Sequence, residues 1–209
     1  MSARDDVLAA VRGALGPGRD RQATEDVATS RAPQPRAAVD VRGEERAAML
    51  DQFAERVADY RAAVTRCAAT ELATTIASAL HGASTVVVPA GLEIDLPGAV
   101  LDDRLTSHDL DAVDAVVTEA AVGIAGTGTV VLDHGPGQGR RVISLLPDLH
   151  VCIVHERQVV PDVPDALVRL DPLRAQTWIS GPSATSDIEL SRVEGVHGPR
   201  RLHVILVRD

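Results

Sequence analysis

Short aliphatic runs alternate with helical patterns along most of this chain, and this alternation restricts the possible folds more than any other feature. Residues 63–67 and 85–88 are short segments containing the β-branched residues that favour strands. Between them, residues 70–80 follow a helical pattern that ends at Gly82. Strands that alternate with helices form a parallel sheet covered by helices on both faces. The sequence therefore predicts an α/β fold with a mainly parallel sheet flanked by helices.

The same alternation continues on both sides of this segment. Residues 44–61 carry one apolar stripe at helical spacing, which includes Leu50, Phe53 and Val57. Further strands are expected at 115–117, 130–132, 151–154, 177–179 and 202–207, with short helical segments at 109–113 and 164–170. The last strand contains His203, which we interpret as a hydrogen-bonded core histidine.

The N-terminal part of the chain has a different character. Val7, Leu8, Val11 and Leu15 recur at helical spacing and predict a short amphipathic helix. Residues 16–43 are rich in Arg, Asp, Pro and Ala, which is typical of a linker. We therefore expect an N-terminal helix and linker over 1–43 and an α/β domain over 44–209. The sequence does not distinguish docking of this helix on its own domain from docking on a second subunit.

Composition excludes several classes of function. Only 1% of the 209 residues are aromatic, so the chain lacks the stacking platforms of proteins that bind single-stranded nucleic acid. The net charge of −9 disfavours nucleic acid and anionic membranes as partners. The sequence contains no Lys, which excludes a Walker lysine and a Schiff-base lysine. A phosphate or carboxylate must therefore be held by Arg, backbone amides or hydroxyls.

The two cysteines, Cys67 and Cys152, lie far apart in apolar segments, and we expect both to be buried thiols. They cannot supply the four thiolates of an iron–sulfur cluster, so no cofactor bound by this chain is evident. The histidines show no zinc spacing, and no metal site is expected. We find neither a secretory leader nor an apolar run of about 18 residues, so we expect a cytoplasmic protein without a membrane span.

The first candidate for chemistry is the Gly/Thr-rich stretch 122–133, in which Gly126, Thr127, Gly128 and Thr129 precede an aliphatic strand. Glycine permits positive φ and close approach of the backbone, so consecutive amides in such a turn can hold an anion. The alternative is a tight turn between two core strands, with Thr present for its strand propensity.

The second candidate is the segment 181–189, which follows the predicted strand 177–179. Its Ser183, Thr185, Asp187 and Glu189 offer hydrogen-bond donors and a possible general base. Ligands of open α/β sheets bind beyond the carboxyl ends of strands, where this segment is expected. Alternatively, Ser183 or Thr185 caps a helical turn whose first residues include the two acids.

Two further sites involve a histidine and an arginine pair. His197 stands between glycines before the last strand and can serve as an acid or base or bind a carboxylate; otherwise it is a solvated turn residue. Arg140 and Arg141 follow a glycine-rich loop and can clamp a carboxylate or phosphate, or lie on the surface as ordinary arginines. That loop, 135–139, lacks the spacing of a dinucleotide-binding motif.

Four ordered segments together resemble the LUD-domain family and, within it, the lactate-utilisation protein C group. These segments are 123–129 (GIAGTGT), 141–150 (RVISLLPDLH), 181–189 (GPSATSDIE) and 195–199 (GVHGP). The resemblance is strong from about residue 114 to the C-terminus. It implies a fold like that of the NagB/RpiA/CoA-transferase-like proteins, and a role in oxidising L-lactate to pyruvate. It also implies partner subunits that carry the iron–sulfur clusters.

On this resemblance, the chain binds a small carboxylate or a phosphate-bearing ligand. Asp187, Glu189 and His197 are the catalytic candidates. The ligand-binding candidates are Gly126, Thr127, Gly128, Thr129, Arg141, Ser144, Gly181, Ser183, Thr185 and Gly198. In this scheme the turn 126–129 holds the anionic end of the ligand with help from Arg141.

One position departs from the family pattern. The family commonly has an acid where this chain has Gly126, so a base at that point would have to be replaced by Glu119, Asp187 or Glu189. The loss favours a binding subunit over an autonomous enzyme. Two alternatives stay open, a free-standing isomerase or acyl/CoA transferase on the same fold, and a protein-interaction module that uses the N-terminal helix.

Overall fold

The computed structural model describes residues 3–15, 41–185, 193–194 and 198–208. The chain divides into two units, Met1–Arg36 and Ala37–Asp209. In the first unit, helix α1 spans Ala3–Leu15 and confirms the predicted N-terminal helix. Its Val7, Leu8 and Val11 side chains are exposed.

The described part of the second unit contains helices and strands in the predicted alternation. The helices are α2 (Gly43–Asp59), α3 (Leu72–Ala79), α4 (Ser107–Asp111) and α5 (Val163–Arg169). The strands are β1 (Ala63–Ala68), β2 (Val86–Val88), β3 (Val100–Leu101), β4 (Ala115–Glu119), β5 (Val122–Ile124), β6 (Thr129–Leu132), β7 (Leu149–His155), β8 (Val159–Val160), β9 (Thr177–Ile179), β10 (Ala184–Thr185), β11 (Val193–Glu194) and β12 (Arg201–Arg208).

The main sheet has six strands in the order β1-β12-β7-β4-β2-β3, and neighbouring strands pair in parallel throughout. Strand β12, second in this order, begins beside Leu149 of β7 and ends beside Ala68 of β1. The mainly parallel α/β sheet predicted from the sequence is therefore confirmed.

Each face of the main sheet is covered by a different helix. Phe53 of α2 is fully buried against Cys152, Val204 and other residues of one face. Ile76 of α3 is fully buried against Val151 and other residues of the opposite face. Because side chains alternate along a strand, adjacent residues of β7 and β12 serve the two separate cores. With so few aromatic residues, both cores are almost entirely aliphatic.

A second sheet, not predicted from the sequence, packs on the α2 side of the main sheet in the order β8-β5-β6-β9. Strands β5 and β6 pair antiparallel, as do β6 and β9. Residues 125–128 are too short a connection for the crossover that parallel pairing requires. The Gly/Thr-rich stretch is therefore the turn of a hairpin between two core strands, the second of the two interpretations left open above. The face of the second sheet that points away from the main sheet is covered by α5.

Two glycines let the second sheet approach the end of α2. Gly128 has φ +60°, and a Cβ there would lie 2.5 Å from the carbonyl carbon of Arg56. Gly181 has φ +80°, and a Cβ there would lie 2.6 Å from the carbonyl oxygen of Tyr60. At both positions a side chain would meet rigid backbone as well as adopt an unfavourable φ. The helix end, the hairpin turn and the loop after β9 are thus fixed to one another.

This close approach predicts that Gly181→Ala destabilises the protein. We expect the substitution to lower the free energy of unfolding by about 2–4 kcal/mol, because backbone strain and overpacking add. Gly98→Ala is the matched control, since Gly98 has φ +82° but no atom within 4 Å of its Cβ position. The control should cost about 1–2 kcal/mol from φ alone. Urea denaturation of both variants measures the difference, and equal losses would contradict the steric explanation.

Candidate functional site

A cavity of about 320 Å³ lies between the second sheet and the amino end of the main sheet, and we call it the Arg141 pocket. Its described lining residues are Arg141, Ser144, Leu145, His150, Thr177, Trp178, Ile179, Ser180, Gly181, Pro182, Ser183, Gly198, Pro199 and Leu202. Its volume is at the lower end of the range for small-molecule sites.

The Arg141 pocket brings together five of the ligand-binding candidates predicted from the sequence. These five are Arg141, Ser144, Gly181, Ser183 and Gly198, which come from three separate segments of the chain. Two contacts join the segments. Ser183 N–H donates to the carbonyl of Pro199 at 2.8 Å. A Cβ on Gly198 would lie 3.3 Å from Ser183 Cβ.

The pocket lies at the opposite end of the parallel sheet from the one expected. His150 and Leu202 line it, and each is the second residue of its strand, β7 or β12. Loop 181–185 does follow the carboxyl end of β9, as predicted, but β9 belongs to the antiparallel sheet. That sheet lies against a face of the parallel one, so its loop reaches the amino end of the main sheet.

Arg141 gives the pocket its charge. It is the only Asp, Glu or Arg among the described lining residues. Its guanidinium is exposed and makes no hydrogen bond or ion pair with any part of the chain that the structure describes. The neighbouring Arg140 differs, because its guanidinium holds the Asp102 carboxylate with two hydrogen bonds of 2.7 Å. Arg140 is therefore held by Asp102, whereas Arg141 has no such partner among the described residues.

A 3-10 turn positions Arg141 at the pocket. The turn spans Arg141–Ser144, and residues 145–148 connect it to β7. The Ser144 hydroxyl donates to the carbonyl of Arg141 at 2.9 Å and is almost fully buried. Ser144 thus lines the pocket and also closes the turn that carries Arg141.

His150 is a pocket residue that the sequence reasoning did not propose as a site. It is 1% exposed, and its Nε2 lies 2.8 Å from the Thr118 hydroxyl. Burial lowers the pKa of His150 from 6.5 to about 4, because desolvation penalises the charged imidazolium. His150 is therefore neutral at pH 7 and too weak a base to abstract a proton efficiently. The feature of the sequence that could have identified this residue is a histidine inside an otherwise aliphatic strand.

A chain of hydroxyls connects the hairpin turn to the pocket. The Thr127 and Thr129 hydroxyls are 2.7 Å apart, and the Thr129 and Ser180 hydroxyls are 2.8 Å apart. Thr129 is 5% exposed, so its hydroxyl is held between the other two rather than by water. Ser180 lines the pocket, but Thr127 and Thr129 do not. The turn therefore orients a pocket hydroxyl from behind.

The rest of the turn faces a different cavity. Gly126 and Thr127 line a space of about 270 Å³ with Arg56, Asp59 and Tyr60. The amide of Gly126 donates to the carbonyl of Pro161 at 2.9 Å, and the preceding amide is also bonded to the β8 segment. These two amides are not available to hold an anion. The expected arrangement, with Gly126–Thr129 and Arg141 around one anionic group, is not what the structure shows.

The three catalytic candidates, Asp187, Glu189 and His197, lie outside the described residues. Thr185 belongs to β10. The residues that would follow Ser183 or Thr185 in a capped helical turn lie outside the described residues, so this alternative stays a prediction. Glu119, the further candidate for a base, ends β4 and does not line the Arg141 pocket. Its carboxylate lies against the loop around Gly137.

Cys67 and Cys152 are both buried, as predicted. Burial raises the pKa of the Cys152 thiol to about 12, so this thiol is protonated and unreactive at pH 7. The two lie in the separate cores on opposite faces of the main sheet. Within the described ranges, no group of three or more His, Cys, Asp or Glu side chains is arranged to hold a metal ion.

Comparison with known proteins decides the family. The LUD domain family matches residues 46–207, which is most of the chain. The chain belongs to the LUD domain family. Lactate utilization protein C of Deinococcus radiodurans is 50% identical over 171 residues, covering 78% of this chain and 81% of that protein. Lactate utilization protein C of Halalkalibacterium halodurans is 38% identical over 107 residues, covering 47% and 46%.

A solved structure supports the LUD-domain fold. The crystal structure of a DUF162 family protein from Deinococcus radiodurans superposes with a TM-score of 0.66 at 43% identity. The match covers 78% of this chain and 98% of that one. Among the described helices of this LUD-domain chain, none is long and apolar enough to cross a membrane.

The buried His150 predicts a specific pH dependence of stability. Its pKa is about 4 in the folded state and 6.5 in the unfolded state, so the unfolded state binds more protons between these values. Its contribution to stability is therefore present above pH 6.5 and lost as the pH falls towards 4. Between pH 7 and pH 5, we expect wild type to lose about 2 kcal/mol more than His150→Gln does.

Urea denaturation at the two pH values measures this difference. His81→Gln is the control, because His81 is exposed and should leave the wild-type pH dependence unchanged. The same pH dependence in wild type and His150→Gln would show that His150 is not held neutral by burial.

Proposed function

We propose that this chain acts in lactate utilisation, as a subunit of an L-lactate-oxidising complex, and that its Arg141 pocket binds a small carboxylate. The relatives named Lactate utilization protein C support a role in lactate utilisation. The chemistry of the pocket supports the ligand class. The small carboxylates of such a system are L-lactate and its oxidation product pyruvate.

The charge distribution in the pocket carries the proposal. One available guanidinium faces a space whose other described polar groups are the neutral His150, the Trp178 indole, hydroxyls and backbone groups. A carboxylate entering this space gains a charge-assisted hydrogen bond from Arg141 and meets no described carboxylate that repels it. The side chains of Leu145 and Leu202 line the pocket too, and they suit a ligand with a methyl group.

The described pocket residues are suited to binding and orientation. The Ser180 hydroxyl is held by Thr129, and the Ser183 backbone is joined through its amide to Pro199. The Ser180 hydroxyl can donate to or accept from the hydroxyl of L-lactate. His150 stays neutral, so it adds polarity without a second charge.

The proposal assigns electron transfer to other subunits. Oxidation of L-lactate to pyruvate removes two electrons and two protons. This chain has two cysteines, both buried and on opposite faces of the main sheet, and a cluster with four thiolate ligands needs twice that number. In this proposal the iron–sulfur clusters belong to partner subunits, as the resemblance to the lactate-utilisation protein C group implies, and this chain holds the carboxylate for them.

The ligand assignment predicts that Arg141→Gln weakens binding of L-lactate and pyruvate. We expect about a tenfold or greater rise in Kd, because the substitution removes the charge-assisted hydrogen bond but keeps a polar side chain. Isothermal titration calorimetry on the full chain, with either carboxylate as the probe, measures the change.

The control variant is Arg208→Gln, which changes the net charge by the same amount. Arg208 ends β12, about 20 Å along the strand from Leu202 at the pocket. This variant should bind as wild type does. Equal affinities for wild type and Arg141→Gln would overturn the assignment, and so would the absence of binding of both carboxylates to wild type.

The cellular role predicts that extracts of cells lacking this protein lose L-lactate-dependent dye reduction. Added wild-type protein should restore it, because the other subunits are still present. Arg141→Gln should restore it poorly and Arg208→Gln fully. Dye reduction that is unimpaired in the absence of the protein would reject a role in lactate oxidation. Turnover of L-lactate by the purified chain alone would reject the subunit model.

A further inference from the structure

A second cavity lies at the other end of the main sheet and belongs to no part of the proposed function. It has a volume of about 700 Å³ and is formed by the loops after β2, β3, β6 and α5. The loops after β2 and β3 start at the carboxyl ends of parallel strands, where open α/β sheets bind ligands. We call it the Arg104 cavity, and Arg104, Arg140 and Arg174 line it from three different loops.

The exposed charge in this cavity is mainly positive. Arg140 is paired with Asp102, but the arginine side chain is 42% exposed and the aspartate only 5%. Arg174 is paired with Asp133, with 41% and 16% exposed. In both pairs the guanidinium faces solvent and the carboxylate is covered by protein.

Arg104 adds a cation with no partner among the described residues. It is exposed and makes no ion pair or hydrogen bond within the described ranges. Its φ of +59° is unusual for a residue other than glycine. Asp103, the opposing charge, also lines the cavity and is exposed.

The walls of the cavity are fixed before any ligand arrives. A Cβ on Gly139 would lie 2.7 Å from Pro89 Cβ, so the glycine-rich loop packs directly on the loop after β2. His134, with φ +58°, donates from Nδ1 to the carbonyl of Gly139 at 2.8 Å. Its Nε2 accepts from the Thr177 hydroxyl at 3.0 Å. A preformed wall lowers the entropic cost of binding.

We propose that the Arg104 cavity is a second ligand site, which takes a phosphate-bearing small molecule. A phosphoryl group carries about −1.5 to −2 charges and three acceptor oxygens, which match several guanidiniums better than one carboxylate does. The apolar and glycine surfaces around Pro89 and Pro136 give room for the rest of such a molecule. Because the chain has no Lys, arginine is its only permanently charged cationic side chain.

Pyrophosphate is the probe for the test, with calorimetry on the full chain at low ionic strength. The double variant Arg104→Gln/Arg174→Gln should bind pyrophosphate at least tenfold more weakly than wild type. Arg104→Gln alone should show a measurable part of this loss, and it breaks no ion pair that holds the described fold together. Arg208→Gln should bind as wild type does.

Asp103→Asn should change the affinity for pyrophosphate in the opposite direction. Removing the one exposed carboxylate should tighten pyrophosphate binding, whereas Glu55→Gln, an exposed acid on α2, should leave it unchanged. Malonate, a dicarboxylate, should bind at least tenfold more weakly than pyrophosphate. The proposal is overturned if wild type does not bind pyrophosphate at millimolar concentration. It is also overturned if the Arg104 variants bind as wild type does, or if malonate binds equally well.

Discussion

The close contact between helix α2 and the second sheet is the constraint on which the rest of the structure depends. Three glycines make it possible. A Cβ on Gly123 would lie 3.1 Å from the ring of Phe53, and Gly128 and Gly181 lie against the backbone of Arg56 and Tyr60. Phe53 is fully buried at this contact. Because the helix is held so near the sheet, the hairpin turn and the loop of the Arg141 pocket receive their positions from the same packing.

This packing explains why the Gly/Thr turn influences the pocket without lining it. Gly128 fixes the turn against α2, and the turn holds Thr129 where its buried hydroxyl reaches Ser180. Thr177 of the second sheet lines the Arg141 pocket, and its hydroxyl donates to His134 of the Arg104 cavity. A single hydrogen bond therefore joins the walls of the two cavities. Movement of the glycine-rich loop would either break this hydrogen bond or displace Thr177 together with His134. A change in the wall of one cavity therefore affects the wall of the other.

Much of the fold and part of the site follow from the sequence. Aliphatic runs such as 151–154 predict buried strands, and the helix stripe through Phe53 predicts the face that packs on them. The second sheet does not follow, because strands β5, β8 and β9 contain only two or three residues each and their partners are set by tertiary packing. Arg141 and Ser183 were identified by residue type and motif. His150 and Ser180 were not, because their role depends on which wall of the pocket they reach.

The carboxylate site proposed at the Arg141 pocket has to attract an anion on a protein that is itself strongly acidic. At a distance, the net charge of −9 repels a carboxylate, but this repulsion falls off over about 8 Å at physiological ionic strength. Close to the pocket, the neighbouring charges determine the electrostatic interaction with an anion. The described lining contributes one cation and no carboxylate there. The selectivity for an anion proposed at this pocket therefore rests on the absence of described carboxylates around one guanidinium. The selectivity proposed for the Arg104 cavity rests on a different arrangement, in which the carboxylate of each ion pair is more buried than its arginine.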